Sequence, residues 1–441
     1  MILYLLPIMV SAVGAYLLFK LRFFFILHPV RTLKFTFLGI KSHNARSSLS
    51  LALAGTLGVG NIFGVASGII IGGVGSVFWL FVCTAFCAVI KYAEVTLTHD
   101  NIRRGEALHG GMAYCIRAVL GKWGAPLSVV YAVLTLALSL VMGAGLQCGT
   151  LVEGVAEISP RAPIFISSAF ALLVIFAITG GGGKIEKITS FLIPLSTIIY
   201  IIMTLTMIFL NFHNLPSVIN SIIRDAFKPL STLGGGISFA FLLPIKEGYC
   251  RGVLSNEAGS GTSGMAHAKS GMMNPAHAGL MGIAEVNFDT AIMCMLTALA
   301  ILVSVPNPGE YTSPMALLIS AFSYNFGFSS VCILMGLIFI FAYSTVICWY
   351  YYAIESLGFL GADGYRGRFF AFYIGAVALL PLFGNSYLLF LSDMILLFMS
   401  LLTMLVLIKS SDRIKHLSES GGIISRYLPP VLNFKSKKSD S

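Results

Sequence analysis

Apolar residues along the chain gather into eleven long runs, at about 2–19, 49–72, 75–98, 126–148, 163–180, 188–211, 234–265, 280–304, 329–357, 369–384 and 386–408, with short polar stretches between them. A helix that crosses the hydrocarbon layer needs about 20 mostly apolar residues. Most of the runs reach that length; the tenth is short, and KEGYCRG interrupts the seventh. The pattern predicts an all-α polytopic membrane protein with eleven transmembrane helices. Stretches 20–48 and 102–125 mix aromatic and basic residues and read as interfacial helices lying along the headgroup layer. The tail from Lys409, ending KSKKSDS, reads as polar and disordered at its end.

Charge supports the same layout. With the N-terminus outside and the C-terminus inside, the inner loops, helix ends and tail carry 25 of the 28 Lys and Arg residues, leaving Arg161, Arg224 and Lys228 outside. Positive charge concentrates on the cytoplasmic side of membrane proteins, and a missed helix would scramble that bias beyond the error. Composition agrees: 57% of residues are hydrophobic, 10% are charged, and mean hydropathy is +0.89. The net charge of +10 is spread over many short loops, unlike the single basic stripe of a nucleic-acid-binding protein. Ile2–Phe19 has no basic start and no small-residue cleavage site before the basic residues that follow, so it reads as a retained helix and not a signal peptide. The eight cysteines lie almost entirely in apolar runs without metal-ligand spacing; Cys83 and Cys87 share a helix face and read as buried thiols. No loop is long enough to hold a catalytic domain.

The second run carries Gly55, Gly58, Gly60 and Asn61 in its interior, in the order GTLGVGN. Glycine weakens a helix, and an open peptide group in hydrocarbon costs several kcal/mol unless it faces a cavity or ligand. A break here can offer carbonyls to a cation and a half-helix N-terminus to a carboxylate. The alternative is close packing through Gly60, Gly64 and Gly68, against which the bilayer-embedded amide of Asn61 argues. A second glycine-rich interruption, SNEAGSGTSG at 255–264, lies in the seventh run. Runs two to six and seven to eleven would then form two five-helix halves of opposite topology, each opening with a broken helix. The implied organisation is an extra helix and interfacial segment at 1–48, a first repeat at 49–211, a second at 234–408 and a cytoplasmic tail at 409–441.

The motifs GTLGVGNIFGVASGI, GGVGSVFWLFV, GGGGKIEKITSFLIPL, RGVLSNEAGSGTSGMAHA, EVNFDTAIMCMLTALAIL and FAYSTVICWYYY, in this order, resemble the alanine or glycine:cation symporter family of bacterial amino-acid carriers, over roughly residues 50–360. The resemblance implies the leucine-transporter-type fold and symport of D- or L-alanine or glycine with Na+ or sometimes H+. It departs from the family pattern at Val59, where many members have Thr, at Leu80 and Phe81, and at Thr262, Ser263 and Gly264 in place of SAP. Glu247, beside Lys246, is also unusual and suggests a local ion pair.

By resemblance, the substrate sits between the two broken helices and the ninth run, on Asn61 and the amides near Gly58 and Gly60, with Ser67, Gly235, Gly236 and Ser238 as further candidates. Thr345 and Trp349, four apart on one helix face, would bring a hydroxyl and a large lid. Thr56, Gly58, Ser344 and Thr345 are the expected Na+ ligands; a Ser–Thr pair can instead bond its own preceding turn, and Trp349 can instead be an interfacial aromatic. Among intramembrane carboxylates, Glu94, Glu257 and Asp289 are gate or coupling candidates. Glu257 would pair with Arg251 or Lys91, and Glu285, Asp289, Glu355 and Asp393 read as structural pairs. His267 and His277 read as solvated loop histidines. No cofactor is expected beyond a coupling ion. The competing readings are a proton-coupled amino-acid permease and an intramembrane enzyme, for which no transmembrane histidine speaks.

Overall fold

The computed structural model describes residues 2–27, 30, 32, 43–105, 111–159, 163–227, 237–270, 272 and 274–424. Among these, every regular element is helical. Those of five residues or more are, in chain order, α1 (Leu5–Lys20), α2 (His43–Thr56), α3 (Phe63–Gly72), α4 (Ser76–Arg103), α5 (Met112–Val119), α6 (Gly121–Ile158), α7 (Pro163–Ile178), α8 (Gly181–Leu210), α9 (Leu215–Ala226), α10 (Ile237–Asn256), α11 (Ser263–His267), α12 (Pro275–Ser304), α13 (Pro314–Phe326), α14 (Ser329–Phe359), α15 (Asp363–Phe383), α16 (Asn385–Lys409) and α17 (Ser411–Ser420). Among the described residues, eight helices are long and apolar enough to cross a membrane, and α2 with α3, bent by 60° at the break, makes a ninth if the pair is one span. The fifth apolar run forms the shorter apolar helix α7, and the seventh forms α10. The protein is thus a polytopic helical membrane protein.

The helices absent from the sequence reading include α9 and α13, both short and lying between apolar runs, and α17 in the polar tail. Residues 28–29, 31 and 33–42 of the expected interfacial helix at 20–48 lie outside the described residues, as does the end of the tail.

The helix α4 occupies the middle, packed on α1, α10 and α12. Lipid is as apolar as leucine, so helices in a membrane associate through close packing of small residues. A Cβ on Gly248 of α10 would lie 2.5 Å from the Ser76 carbonyl, and one on Gly279 of α12 would lie 2.1 Å from Thr96 Oγ1. Only glycine lets these helices approach α4 so closely. The helices α7 and α8 turn Phe165, Leu172, Phe176, Phe191, Ile198 and Ile202 outward, as a lipid-facing surface does.

Lys91, Lys246 and Arg251, counted toward the cytoplasmic side, are held in ion pairs along α4 and α10. Lys246 pairs with Glu247 (2.6 Å) and Arg251 with Asp393, both upstream of the second break on α10, while Lys91 is fully buried in α4. Paired within helices, they carry no information on loop orientation.

Candidate functional site

The first break begins where helical hydrogen bonding fails. The Gly58 N–H, which would bond the Ala54 carbonyl in a continuous helix, bonds the Thr56 carbonyl instead (2.8 Å). The Ala54 carbonyl accepts the Thr345 hydroxyl from α14 (2.9 Å). The Val59 N–H is likewise diverted, from Gly55 to Gln147 Oε1 on α6 (3.0 Å). A 3-10 turn over Val59–Asn61 then leads into α3. Gly58 is extended (φ −108°, ψ −159°), so its backbone suits any residue, but a Cβ there would lie 2.7 Å from Thr345 Oγ1 and 2.8 Å from Gln147 Oε1. Glycine is required by contact, not by conformation.

Around this point the chain gathers aromatic bulk. Trp349, fully buried, stacks edge-on against Tyr352 (5.4 Å between centroids) and lies over Gly143, one helical turn before Gln147. Its indole N–H has no hydrogen-bond partner among the described residues. Gln147 follows a π-helical segment, Ser139–Leu146, a distortion that recurs at functional sites and here sets the residue's direction.

The second break follows α10. Glu257 takes a left-handed conformation (φ +55°), uncommon for a side-chain-bearing residue, and Gly259 (φ +89°) and Gly261 (φ +79°) continue the irregular path into α11. Side chains satisfy its backbone: the Gly259 N–H donates to Glu94 Oε1 (2.6 Å), and Tyr131 donates to the Ser260 carbonyl (2.5 Å). Glu257 Oε2 accepts the Thr262 hydroxyl (2.7 Å). Below it, Lys91 bonds Ser263 (2.5 Å) and Glu285 (3.3 Å), whose other oxygen meets His267 (3.0 Å). Lys91 and Glu285 are 0% exposed, so each charge is compensated by its partner.

The two breaks meet through Asn61. Its amide nitrogen donates toward Ser255 Oγ (3.0 Å), Asp289 Oδ1 (2.6 Å) and the Asp289 carbonyl (3.1 Å). Ser255 and Thr290 donate their hydroxyls to Asp289 Oδ2 (2.5 and 2.9 Å), and Asn256 bonds Thr290 (3.0 Å). Asp289 lies in a second π-helical segment, Asn287–Cys294.

A chain that breaks two membrane helices against one another, with buried polar groups at both breaks, matches along residues 1–419 the sequence profile described as the sodium:alanine symporter family. The chain belongs to that family. Its similarity to the amino-acid carrier protein AlsT of Bacillus subtilis is 31% identity over 79% of this chain and 74% of the relative. It is 29% identical to the sodium/alanine symporter AgcS of Methanococcus maripaludis, over 77% of this chain and 76% of that one. A third relative, the probable sodium/glutamine symporter GlnT of Bacillus subtilis, is 28% identical over 85% of this chain and 78% of its own. The family is one of cation-coupled amino-acid transporters.

In this family member, Gly58, Gly60 and Asn61 lie in the break, Thr345 meets it at Gly58 and the Ala54 carbonyl, and Trp349 lies over Gly143, one turn from Gln147, which sequence reasoning passed over as one amide in an apolar helix. Gly60 packs on α10, its Cβ position 3.6 Å from Ser255 Cα. Several expectations change. Ser344 donates to its own Ile340 carbonyl (2.9 Å) and Thr56 to Ala52 (3.3 Å), each within its own helix, whereas Thr345 reaches across to α2. Trp349 is buried, not interfacial. Ser67 is buried on α3 beyond the break, apart from the hydrogen bonds just described. Gly235 and Gly236 lie outside the described residues, and Ser238 opens α10, about 25 Å along the helix from Ser255 at 1.5 Å per residue. That distance removes Ser238 from the first break. KEGYCRG proves helical, the interruption coming after Asn256.

Among the carboxylates, Glu94 supports the second break, as a cap would. Glu257 takes Thr262, not Arg251, which goes to Asp393 and to Glu247 (3.5 Å). His267 is 1% exposed and paired with Glu285, so it is no solvated loop residue, and His277 contacts the Gly421 carbonyl (3.2 Å). Cys83 and Cys87 touch as buried thiols (3.3 Å). The departure at Val59 is moderated because this residue acts through its backbone N–H.

Proposed function

We propose that the protein imports small neutral amino acids, alanine of either hand and glycine, in symport with Na+ across the cell (inner) membrane. The observation that carries this reading is the diversion of the Val59 N–H to Gln147 beside the side-chain-free Gly58, at a helix break that also meets Thr345. An amino acid needs donors for its carboxylate and acceptors for its ammonium, and open peptide groups with one amide side chain supply both. Gly58, Gly60 and Gln147 would hold the substrate's polar ends. Trp349, packed over Gly143, would limit the side chain to about a methyl group. One relative carries glutamine in its name, so family membership leaves substrate size open, and the closed aromatic wall supports a small one.

The carbonyls of 54–58 and the Thr345 hydroxyl offer oxygens of the kind hard cations take. Glu94 and Glu257, at the second break, fit a gate that must loosen when the inner side opens. The two broken helices support a leucine-transporter-type arrangement of eleven spans, with repeats at 49–211 and 234–408, an additional helix in 1–48, and a tail at 409–441. The positive-charge bias supports an outer N-terminus and a cytoplasmic C-terminus.

The test is uptake of radiolabelled alanine into proteoliposomes under a Na+ gradient, repeated with choline and with competing amino acids. Saturable, Na+-dependent uptake that glycine and both alanines suppress is expected. Uptake driven by a pH gradient in choline would assign proton coupling instead, and no uptake under any gradient would refute the reading.

A further inference from the structure

The helices α2 and α8 touch near their N-termini, where the Ser47 hydroxyl donates to Glu186. Further along they part, and with α12 they enclose a cavity of about 300 Å³. Its walls are largely apolar, from Leu53 of α2, Pro194, Ile198 and Ile201 of α8 and Phe288 of α12, with Ser50 and Thr197 as their polar residues. Ile198 is 58% exposed, so the cavity opens on the lipid-facing side of α8. An apolar hollow against hydrocarbon forfeits dispersion contacts unless a chain enters it.

The chemistry of the groove changes in order along both helices. On α8, residues 187, 190, 194, 198 and 201 fall three or four apart and share one face. Lys187 is exposed at the start of that face. One turn on, the Ser190 hydroxyl is buried without a hydrogen-bond partner among the described residues, whereas Ser196 and Thr204 of the same helix bond their preceding turns (2.8 and 2.9 Å). The Ser190 carbonyl also lacks its helical donor, because Pro194 has no N–H. On α2 the corresponding face runs from an exposed Arg46 through Ser50 to Leu53. The contact of Ser47 with Glu186 sets Arg46 level with Lys187 and occupies the neighbouring carboxylate. Lys184 is turned the other way, over the Phe176 ring (3.6 Å).

We propose that this groove binds an anionic glycerophospholipid: its phosphate meets Arg46 and Lys187, its glycerol esters lie by Ser50 and Ser190, and one acyl chain fills the cavity as far as Ile201. Positive charge, hydrogen-bonding groups and hydrocarbon follow one another in the groove as phosphate, ester and chain do in the lipid. Depth agrees as well. Lys187 lies about 10 Å from Pro194 along the helix, and a headgroup layer is about 5–8 Å deep, so a lysine at the headgroups leaves Pro194 and the residues beyond it in hydrocarbon. Basic pockets between membrane helices recognise anionic headgroups in this way. One wall belongs to α2, the helix that leads into the first break, so a seated chain resists displacement of α2 toward α8. That effect on transport rests on the proposed function; the binding does not.

The test reconstitutes the full chain in vesicles of equal phosphatidylglycerol and phosphatidylcholine, re-extracts it in mild detergent and measures the retained phospholipid by mass spectrometry. The wild type is expected to retain phosphatidylglycerol several-fold over phosphatidylcholine. Ile198→Trp, which fills the cavity from its open side, should retain several-fold less of both, and Arg46→Gln with Lys187→Gln should lose the preference for phosphatidylglycerol. Should Ile198→Trp fail to fold, the charge variant at the protein surface decides. Equal retention of the two lipids by the wild type, or retention unchanged in the variants that fold, overturns the site. Alanine uptake is measured in parallel, in phosphatidylcholine vesicles with and without phosphatidylglycerol. Uptake that differs several-fold between them in the wild type, and not in the charge variant, supports the hold on α2; uptake equal in both overturns that hold. No uptake in either vesicle, with retention as expected, refutes the transport reading and supports the lipid site.

Discussion

Gly58 gives the sharpest perturbation of the first break. Its extended backbone accepts alanine without torsional strain, so Gly58→Ala acts through contact alone. The added methyl group would sit 2.7 Å from Thr345 Oγ1 and 2.8 Å from Gln147 Oε1, closer than carbon and oxygen settle in ordinary contact. Either both side chains move, loosening the bonds to Ala54 and to the Val59 N–H, or α2 withdraws from α6 and α14. Overpacking of this kind costs about 1–3 kcal/mol, which corresponds to roughly 5- to 150-fold in uptake efficiency if the strained geometry is the one that binds substrate. Gly336→Ala, on α14 with nothing within 4 Å of its Cβ position, is the control for a glycine-to-alanine change in a membrane helix. The assay is initial-rate alanine uptake by both variants in proteoliposomes, normalised to protein incorporated and paired with thermal unfolding in detergent. Gly58→Ala transport equal to that of Gly336→Ala would refute the assignment of this break as the binding point.

Gln147→Leu leaves the Val59 N–H buried without its acceptor, costing about 1–3 kcal/mol, and is expected to raise the KM for alanine several-fold with little change in expression. Lys91→Met strips Glu285 of its cation inside the membrane and should destabilise the protein by about 3–5 kcal/mol; the double variant Lys91→Met with Glu285→Gln should recover most of the loss in thermal unfolding. Ser238→Ala, far along α10 from the first break, is expected to leave the KM unchanged, and a several-fold rise would restore that residue to the substrate site.

The sequence was most informative where physical rules are strict. Open peptide groups are so costly in hydrocarbon that GTLGVGN could be recognised as a break before any contact was known, and the glycines of SNEAGSGTSG mark the second in the same way. Helix periodicity placed Thr345 and Trp349 on one face. Residues whose meaning depends on a distant partner were harder to read. Gln147 is one amide in an apolar helix until α6 is seen beside Val59, and a single polar residue there carries no pattern. Glu285 and Asp289 look alike in sequence; Lys91, far away in the chain, separates them. The short helices α9 and α13 fell between runs because they lack the length that makes a span legible. The choice between Thr345 and Ser344 turned on which hydroxyl had a carbonyl across the helix interface, and spacing alone does not contain that.

Hydrogen exchange at the amides of residues 57–62, in lipid nanodiscs with and without alanine and Na+, tests most directly whether the first break is where the substrate binds. Protection of these amides is expected to rise only when both solutes are present, while the amides of a continuous helix such as α16 stay unchanged. Exchange at 57–62 that is indifferent to alanine and Na+, in a preparation that transports, would contradict it.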